Sequence, residues 1–145
     1  MKNSKYAFTM IELIFVIVVL GILSAVAIPK MAAIRTDAEI AKGIADISSI
    51  RSAIITERQS RLIKGDGDWI TALSGYGSGL FTGTDSNHTL LMYGLTSSTA
   101  SGHWSGTDPN YDFTIGTTAC RLVYTPSNGK FLLTSTDTIC LELDK

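Results

Sequence analysis

Hydrophobic positions crowd one end of this chain. Phe8 to Ile28 reads FTMIELIFVIVVLGILSAVAI, 21 residues in which Glu12 is the one charge. At about 1.5 Å per residue, a helix of that length spans roughly 31 Å, enough for a bilayer core. Lys2 and Lys5 precede it, so the positive-inside tendency puts the N-terminus in the cytoplasm and everything after Pro29 outside. Pro29 then breaks the pattern, and an interior proline, which removes a backbone hydrogen bond, predicts a kink. Helical periodicity resumes to about Lys64. Ile40, Ile44, Ile47, Ile54, Ile55 and Leu62 fall within one broad arc at 100° per residue. Arg51 and Arg58 interrupt that arc, which predicts stems along the apolar surface and heads escaping to water. Arg35 with Glu39 and Glu57 with Arg61 stand four apart and predict ion pairs of a few tenths of a kcal/mol each. The stripe would also suit a coiled-coil seam or an interfacial helix. The heptad is not sustained, however, and acidic residues accompany the basic ones, which favours packing against the chain's own domain.

Gly65-Asp66-Gly67-Asp68 has the turn chemistry that ends a helix. From there to Pro109 the chain is rich in Gly, Ser and Thr, with short apolar runs at Trp69-Ile70 and Leu90-Leu91-Met92-Tyr93. Trp69, Tyr76, Phe81 and Trp104 supply side chains to bury, so this stretch is loop-rich structure and not a linker. Tyr111 to Ile115 alternates like a strand. Arg121 to Tyr124 and Lys130 to Leu133 flank Ser127-Asn128-Gly129, a hairpin signal. Ile139 to Leu143 reads as a last short strand. The expected fold class is α+β: a long kinked N-terminal helix packed on a small antiparallel sheet of three or four strands. The expected segments are 8–29 (membrane helix), 30–64 (amphipathic helix), 65–110 (loop-rich) and 111–145 (sheet).

Composition changes this picture little. Hydrophobic residues make up 45% and charged residues 17% of the chain, with mean hydropathy +0.23. The apolar excess belongs to the first segment, and one ordinary polar domain remains. Net charge is −1. Lys30 to Ile63 carries six basic and four acidic residues, whereas Lys64 to Lys145 carries four basic and eight acidic ones. The acidic distal part argues against a phosphate-binding surface and against nucleic acid as a partner.

No catalytic constellation emerges, which points away from an enzyme, and no cofactor is implied. His88 and His103 fit no metal-ligand spacing, and no serine sits in a nucleophile elbow. Asp66 and Asp68 are weak calcium candidates, because a Gly-Asp-Gly-Asp turn is more often a helix stop. Asn87-His88-Thr89 is a glycosylation acceptor string. Asp85, two positions earlier, resembles the extended acceptor of some bacterial oligosaccharyl transferases. Cys120 and Cys140 are the only cysteines. Outside the cytoplasm an even pair favours a disulfide, with two buried thiols as the alternative.

Glu12 says most about function. A carboxylate in hydrocarbon costs on the order of 2.5–3.5 kcal/mol and normally has a partner, yet neither Lys nor Arg lies between Phe8 and Ile28. Glu12 near the interface could snorkel. Cleavage just before Phe8 would instead free an α-amine one turn away, and neighbouring helices could pair amine with carboxylate. A secretory signal peptide cut after Ala27 would release a soluble protein. The apolar run exceeds the usual h-region, though, and carries a charge.

The run Lys5-Tyr6-Ala7-Phe8-Thr9-Met10-Ile11-Glu12-Leu13 closely resembles the prepilin processing site of type IV pilins and type II secretion pseudopilins. The resemblance implies a leader at 1–7, cleavage between Ala7 and Phe8 by a prepilin peptidase, and N-methylation of Phe8. It makes Glu12 and Phe8 the assembly pair, and Gly21 and Pro29 the positions of helix flexibility. Ala7 stands where the family prefers glycine. The family's long helix forms a filament core, and many type IV pilins carry a cysteine pair like this one, which classical major pseudopilins usually lack. The implied partners are other copies in a helical filament, the peptidase, an inner-membrane assembly platform and the lipid bilayer. The implied location is the bacterial inner membrane, with the globular part periplasmic, and then the pilus or pseudopilus. A minor tip pilin that binds a ligand for adhesion or DNA uptake is the rival role.

Overall fold

The structure is a computed structural model that describes residues 8–145, so the expectations for the leader and for Ala7 lie outside the described residues. The chain divides between Arg35 and Thr36 into two compact units. Helix α1 (Met10–Ile63) carries the whole of the first unit's described helical structure and continues into the second. It starts at Met10, two residues later than the apolar run, and continues through Pro29. Met10–Ile28 has mean hydropathy 2.9, with none of its most apolar stretch buried. A Cβ added at Gly21 would have open space around it, so nothing in the isolated unit demands glycine there.

The second unit sets a four-stranded antiparallel meander beside a two-stranded hairpin. The hairpin pairs β1 (Gly83–Asp85) with β2 (His88–Thr89). The meander runs β3 (Trp104–Thr107), β4 (Asn110–Ile115), β5 (Thr118–Thr125) and β6 (Lys130–Leu133) in sequence order. Its sheet therefore begins at Trp104 and not at Tyr111. The α+β class and the helix-plus-sheet, pilin-like layout stand. The β5–β6 hairpin forms where Asn128-Gly129 predicts it, with Thr125 opposite Lys130. Gly129 takes φ +69, and a Cβ there would lie 2.1 Å from the Trp69 ring, so only glycine fits both the turn and its neighbour.

Ile139 to Leu143 is not a strand. Thr138–Leu141 is a helical turn, α2, followed by a 3₁₀ turn at Glu142–Asp144. Cys140 and Leu143 are the buried residues here, and their three-residue spacing suits a helical turn where alternation would not. The Asp137 carbonyl accepts from Cys140 N at 3.0 Å and Leu141 N at 3.1 Å.

The core joins Ile47, Ile50 and Ile54 of α1 to Trp104, Tyr111, Phe113, Leu122, Tyr124 and Phe131 of the sheet. Phe81 is fully buried among these rings, 4.5 Å from Tyr111 and 5.2 Å from Trp104 between centroids, despite φ +61. Such a backbone conformation in a bulky residue persists only where packing over-determines it. Tyr76, by contrast, stays 44% exposed. Gly43 lets α1 approach closely, since a Cβ there would meet Leu143 at 2.6 Å and Phe113 at 2.7 Å.

The inward stripe of α1 is Gly43, Ile47, Ile50, Ile54, Glu57 and Arg61, at alternating four- and three-residue steps. Ile55 and Leu62 fall outside it and are about half exposed. An arc drawn through apolar residues alone misses that Glu57 and Arg61 point inward, and so rotates toward Ile55 and Leu62. Glu57 and Arg61 do pair, at 2.8 Å, but their side chains are 5% and 10% exposed, so this is a buried pair and not a surface one. The arginine heads are also engaged by the protein, Arg51 at a partly exposed surface and Arg58 against an aromatic ring. Arg51 Nε donates to the Phe131 carbonyl at 3.0 Å and its Nη2 to Asp144 at 2.7 Å. The Arg58 guanidinium stacks 4.1 Å above the Trp69 ring centroid.

Cys120 of β5 and Cys140 of α2 form a disulfide, the pairing favoured over two buried thiols. It ties the C-terminal turns to the sheet across a sequence separation of 20. Reducing it in the full chain should lower stability by about 3 kcal/mol on the loop-entropy account. The check is the shift in urea midpoint between oxidised and reduced protein.

Candidate assembly site

Thr9 is the residue that sequence reasoning missed. It precedes the first helical residue, and its hydroxyl accepts a hydrogen bond from Glu12 N at 3.3 Å. The same hydroxyl lies 3.5 Å from Glu12 Oε2, to which it can donate. The Thr9 carbonyl accepts from Glu12 N at 3.1 Å and from Leu13 N at 3.2 Å. Thr9-Met10-Ile11-Glu12 is thus a capping-box spacing, Thr-x-x-Glu, which the sequence displayed openly. The cap explains why the helix begins at Met10 and leaves Phe8 outside it, 79% exposed.

The cap gives Glu12 a second meaning. A first-turn carboxylate sits in the positive end of the helix dipole, worth about 0.3–1 kcal/mol. That term is small beside the cost of placing the charge in hydrocarbon. Among the described residues no cation pairs with Glu12. Phe8 lies exposed just before the helix and Glu12 in its exposed first turn, while the bond that would be cut lies beyond the described residues.

The remaining candidates are scattered over the distal unit. Asp66 caps the end of α1: its Oδ2 accepts from Arg61 Nη1 at 2.9 Å and its Oδ1 from Asp68 N at 2.9 Å. That hydrogen bond from Asp68 N, aided by Arg61, holds the Asp66 carboxyl below its ordinary range against a partial desolvation effect. Asp66 is thus engaged as a helix stop. His88 Nδ1 contacts Asp85 Oδ2 at 2.8 Å, and His103 Nδ1 contacts the Ser101 carbonyl at 3.1 Å. No group of three or more His, Cys, Asp or Glu is placed to hold a metal among the described residues. Asn87 is exposed in the turn between β1 and β2.

No curated protein and no solved structure matches the chain. The family model of the prokaryotic N-terminal methylation motif does match, over residues 2–28, a stretch that spans the basic start, Ala7, Phe8, Glu12 and the apolar helix. The chain carries the prepilin-type N-terminal methylation motif of type IV pilins and pseudopilins.

Proposed function

We propose that the chain is a structural subunit of a type IV pilus-like or type II secretion pseudopilus filament. One observation carries this reading: the matched motif coincides with a fully exposed apolar helix whose capped first turn holds Glu12. A prepilin peptidase cuts between Ala7 and Phe8 and methylates the new amine. The processed subunit waits in the inner membrane as a single-pass protein with its distal unit in the periplasm. An assembly platform then adds it to a filament through helix packing and pairing of the Phe8 amine with a neighbour's Glu12. Gly21 and Pro29 give the helix its freedom to adjust. The Cys120–Cys140 bridge favours a pilus over a major pseudopilin, given the family tendency. A second reading, a minor tip subunit that takes a ligand, draws on Tyr76, Met92 and Tyr93. These exposed residues line one cleft without charged side chains.

The N-terminal peptide of protein purified from its native membrane tests the main reading. We expect it to begin at Phe8 and to carry one added methyl group. A mature N-terminus at Ile28 would overturn the reading in favour of secretion.

A further inference from the structure

We propose that Asn87 is an N-glycosylation site whose first sugar rests in a hydroxyl-lined cleft against α1. The inference rests on the proposed orientation, which places the distal unit outside the cytoplasm. Asn87-His88-Thr89 satisfies the acceptor pattern, in which the third residue supplies a hydroxyl. Both Asn87 and Thr89 are exposed. The turn around them is fixed from within: Asp85 Oδ1 accepts from Asn87 N at 2.7 Å and from His88 N at 3.0 Å. The His88 ring lies against the same carboxylate, so Asp85 is held ionised, its carboxyl below the ordinary range. The string therefore runs from a short fixed turn into β2, with Asn87 and Thr89 exposed.

The neighbouring surface has the chemistry to receive a sugar. Asn87 and Thr89 line a cleft of about 660 Å³ with Ser48, Ser52, Thr56 and Glu57 of α1. Ser48, Ser52 and Thr56 stand at four-residue steps, which puts their hydroxyls on one helix face. The volume is within the range of sites that hold small molecules. Glu57 is 6% exposed, and its Oε2 is a buried acceptor that no described residue satisfies. Such an atom wants a donor, and a sugar hydroxyl or acetamido N–H beside Asn87 supplies one.

The donor is a lipid diphosphate-linked oligosaccharide, acted on by a separate transferase. Asn87 Nδ2 attacks sugar C1, forming the N–C1 bond. The C1–O bond to the diphosphate breaks, and its electron pair leaves on the lipid diphosphate. One Nδ2 proton passes to the transferase's base.

Mass spectrometry of peptides from the native full chain tests the site. The Asn87 peptide should be heavier than its sequence by a glycan, and should return to sequence mass in Asn87→Gln and Thr89→Ala but not in Thr89→Ser. A native Asn87 peptide at sequence mass would overturn the proposal, as would a glycan that persists in Asn87→Gln. The N-terminal peptide in the same digest reports processing at Phe8 separately, so failure of the filament reading is distinguishable. For the cleft, the glycosylated full chain should melt roughly 2–4 °C above the same chain made in a host without N-glycosylation. Equal melting temperatures would overturn the placement of the sugar in the cleft.

Discussion

Glu12→Ala should leave membrane insertion intact and abolish incorporation into filaments. Removing a carboxylate from the span lowers the cost of insertion by on the order of 2.5–3.5 kcal/mol, so the variant should accumulate normally in the membrane. On the proposed assembly, what it loses is the counterion for a neighbour's Phe8 amine. Breaking one half of a desolvated ion pair costs about 3–5 kcal/mol. At about 1.4 kcal/mol per factor of ten, that is more than a hundredfold per subunit contact. Sheared filaments from cells carrying the variant should therefore hold little or none of it, by quantitative immunoblot.

The cap at Thr9 offers a competing explanation, which a second variant separates. Glu12→Gln keeps a side chain that can accept from the Thr9 hydroxyl, now 3.5 Å from Glu12 Oε2, but it removes the charge. If pairing governs assembly, Glu12→Gln fails like Glu12→Ala, and Thr9→Ala, worth about 1 kcal/mol of cap, assembles at reduced efficiency. Normal filaments from Glu12→Gln would overturn the pairing and leave Glu12 a helix cap.

The two halves of the chain were legible to different degrees, for physical reasons. An apolar span needs only composition, and Asn128-Gly129 needs only local turn geometry, so both were readable without tertiary knowledge. The hairpin at Thr125–Lys130 bears this out. Thr9 was legible too, because a capping box is a spacing rule that Thr9-Met10-Ile11-Glu12 meets. Glu57 and Arg61 were not legible as inward residues. Only the tertiary fold shows that each buries the other, with Arg61 reaching Asp66 as well. Ile139 to Leu143 misled because its propensities favour a strand, whereas the disulfide from Cys140 to Cys120 and the burial of Leu143 ask for a turn of helix. Local signals survive in the sequence; those set by a partner far along the chain do not.

Arg61→Met should destabilise the distal unit by about 3 kcal/mol. It strands Glu57, whose side chain is 5% exposed, without its counterion. Breaking buried pairs costs about 3–5 kcal/mol, and the lower end applies because Glu57 also lines an open cleft where water's polarisation reaches it. Burial alone would lower the Arg61 pKa, and the hydrogen bond and charge of Glu57, with those of Asp66, outweigh it and raise it. Tyr124 is pushed up to about 12, first by burial and then by the Glu57 charge, so it stays neutral and donates to the Ile70 carbonyl at 2.8 Å. Among the described residues, Arg61 alone offers Glu57 a formal positive charge by direct hydrogen bond. Exchanging both partners for apolar residues, Glu57→Leu with Arg61→Met, removes the stranded charge and should restore most of the loss, since such exchanges are often neutral. Urea midpoints of the two variants in the full chain measure the difference. Acid unfolding adds an independent check. Asp66, held below its ordinary pKa, contributes stability that is present above that ordinary value and lost as pH falls through the folded-state one. Arg61→Met should shrink that acid loss without erasing it, because the Asp68 N–H, the larger cause, remains. A single variant within 1 kcal/mol of wild type, by the same ~3 kcal/mol scale, would show that the cleft solvates Glu57 well enough to make the pair dispensable.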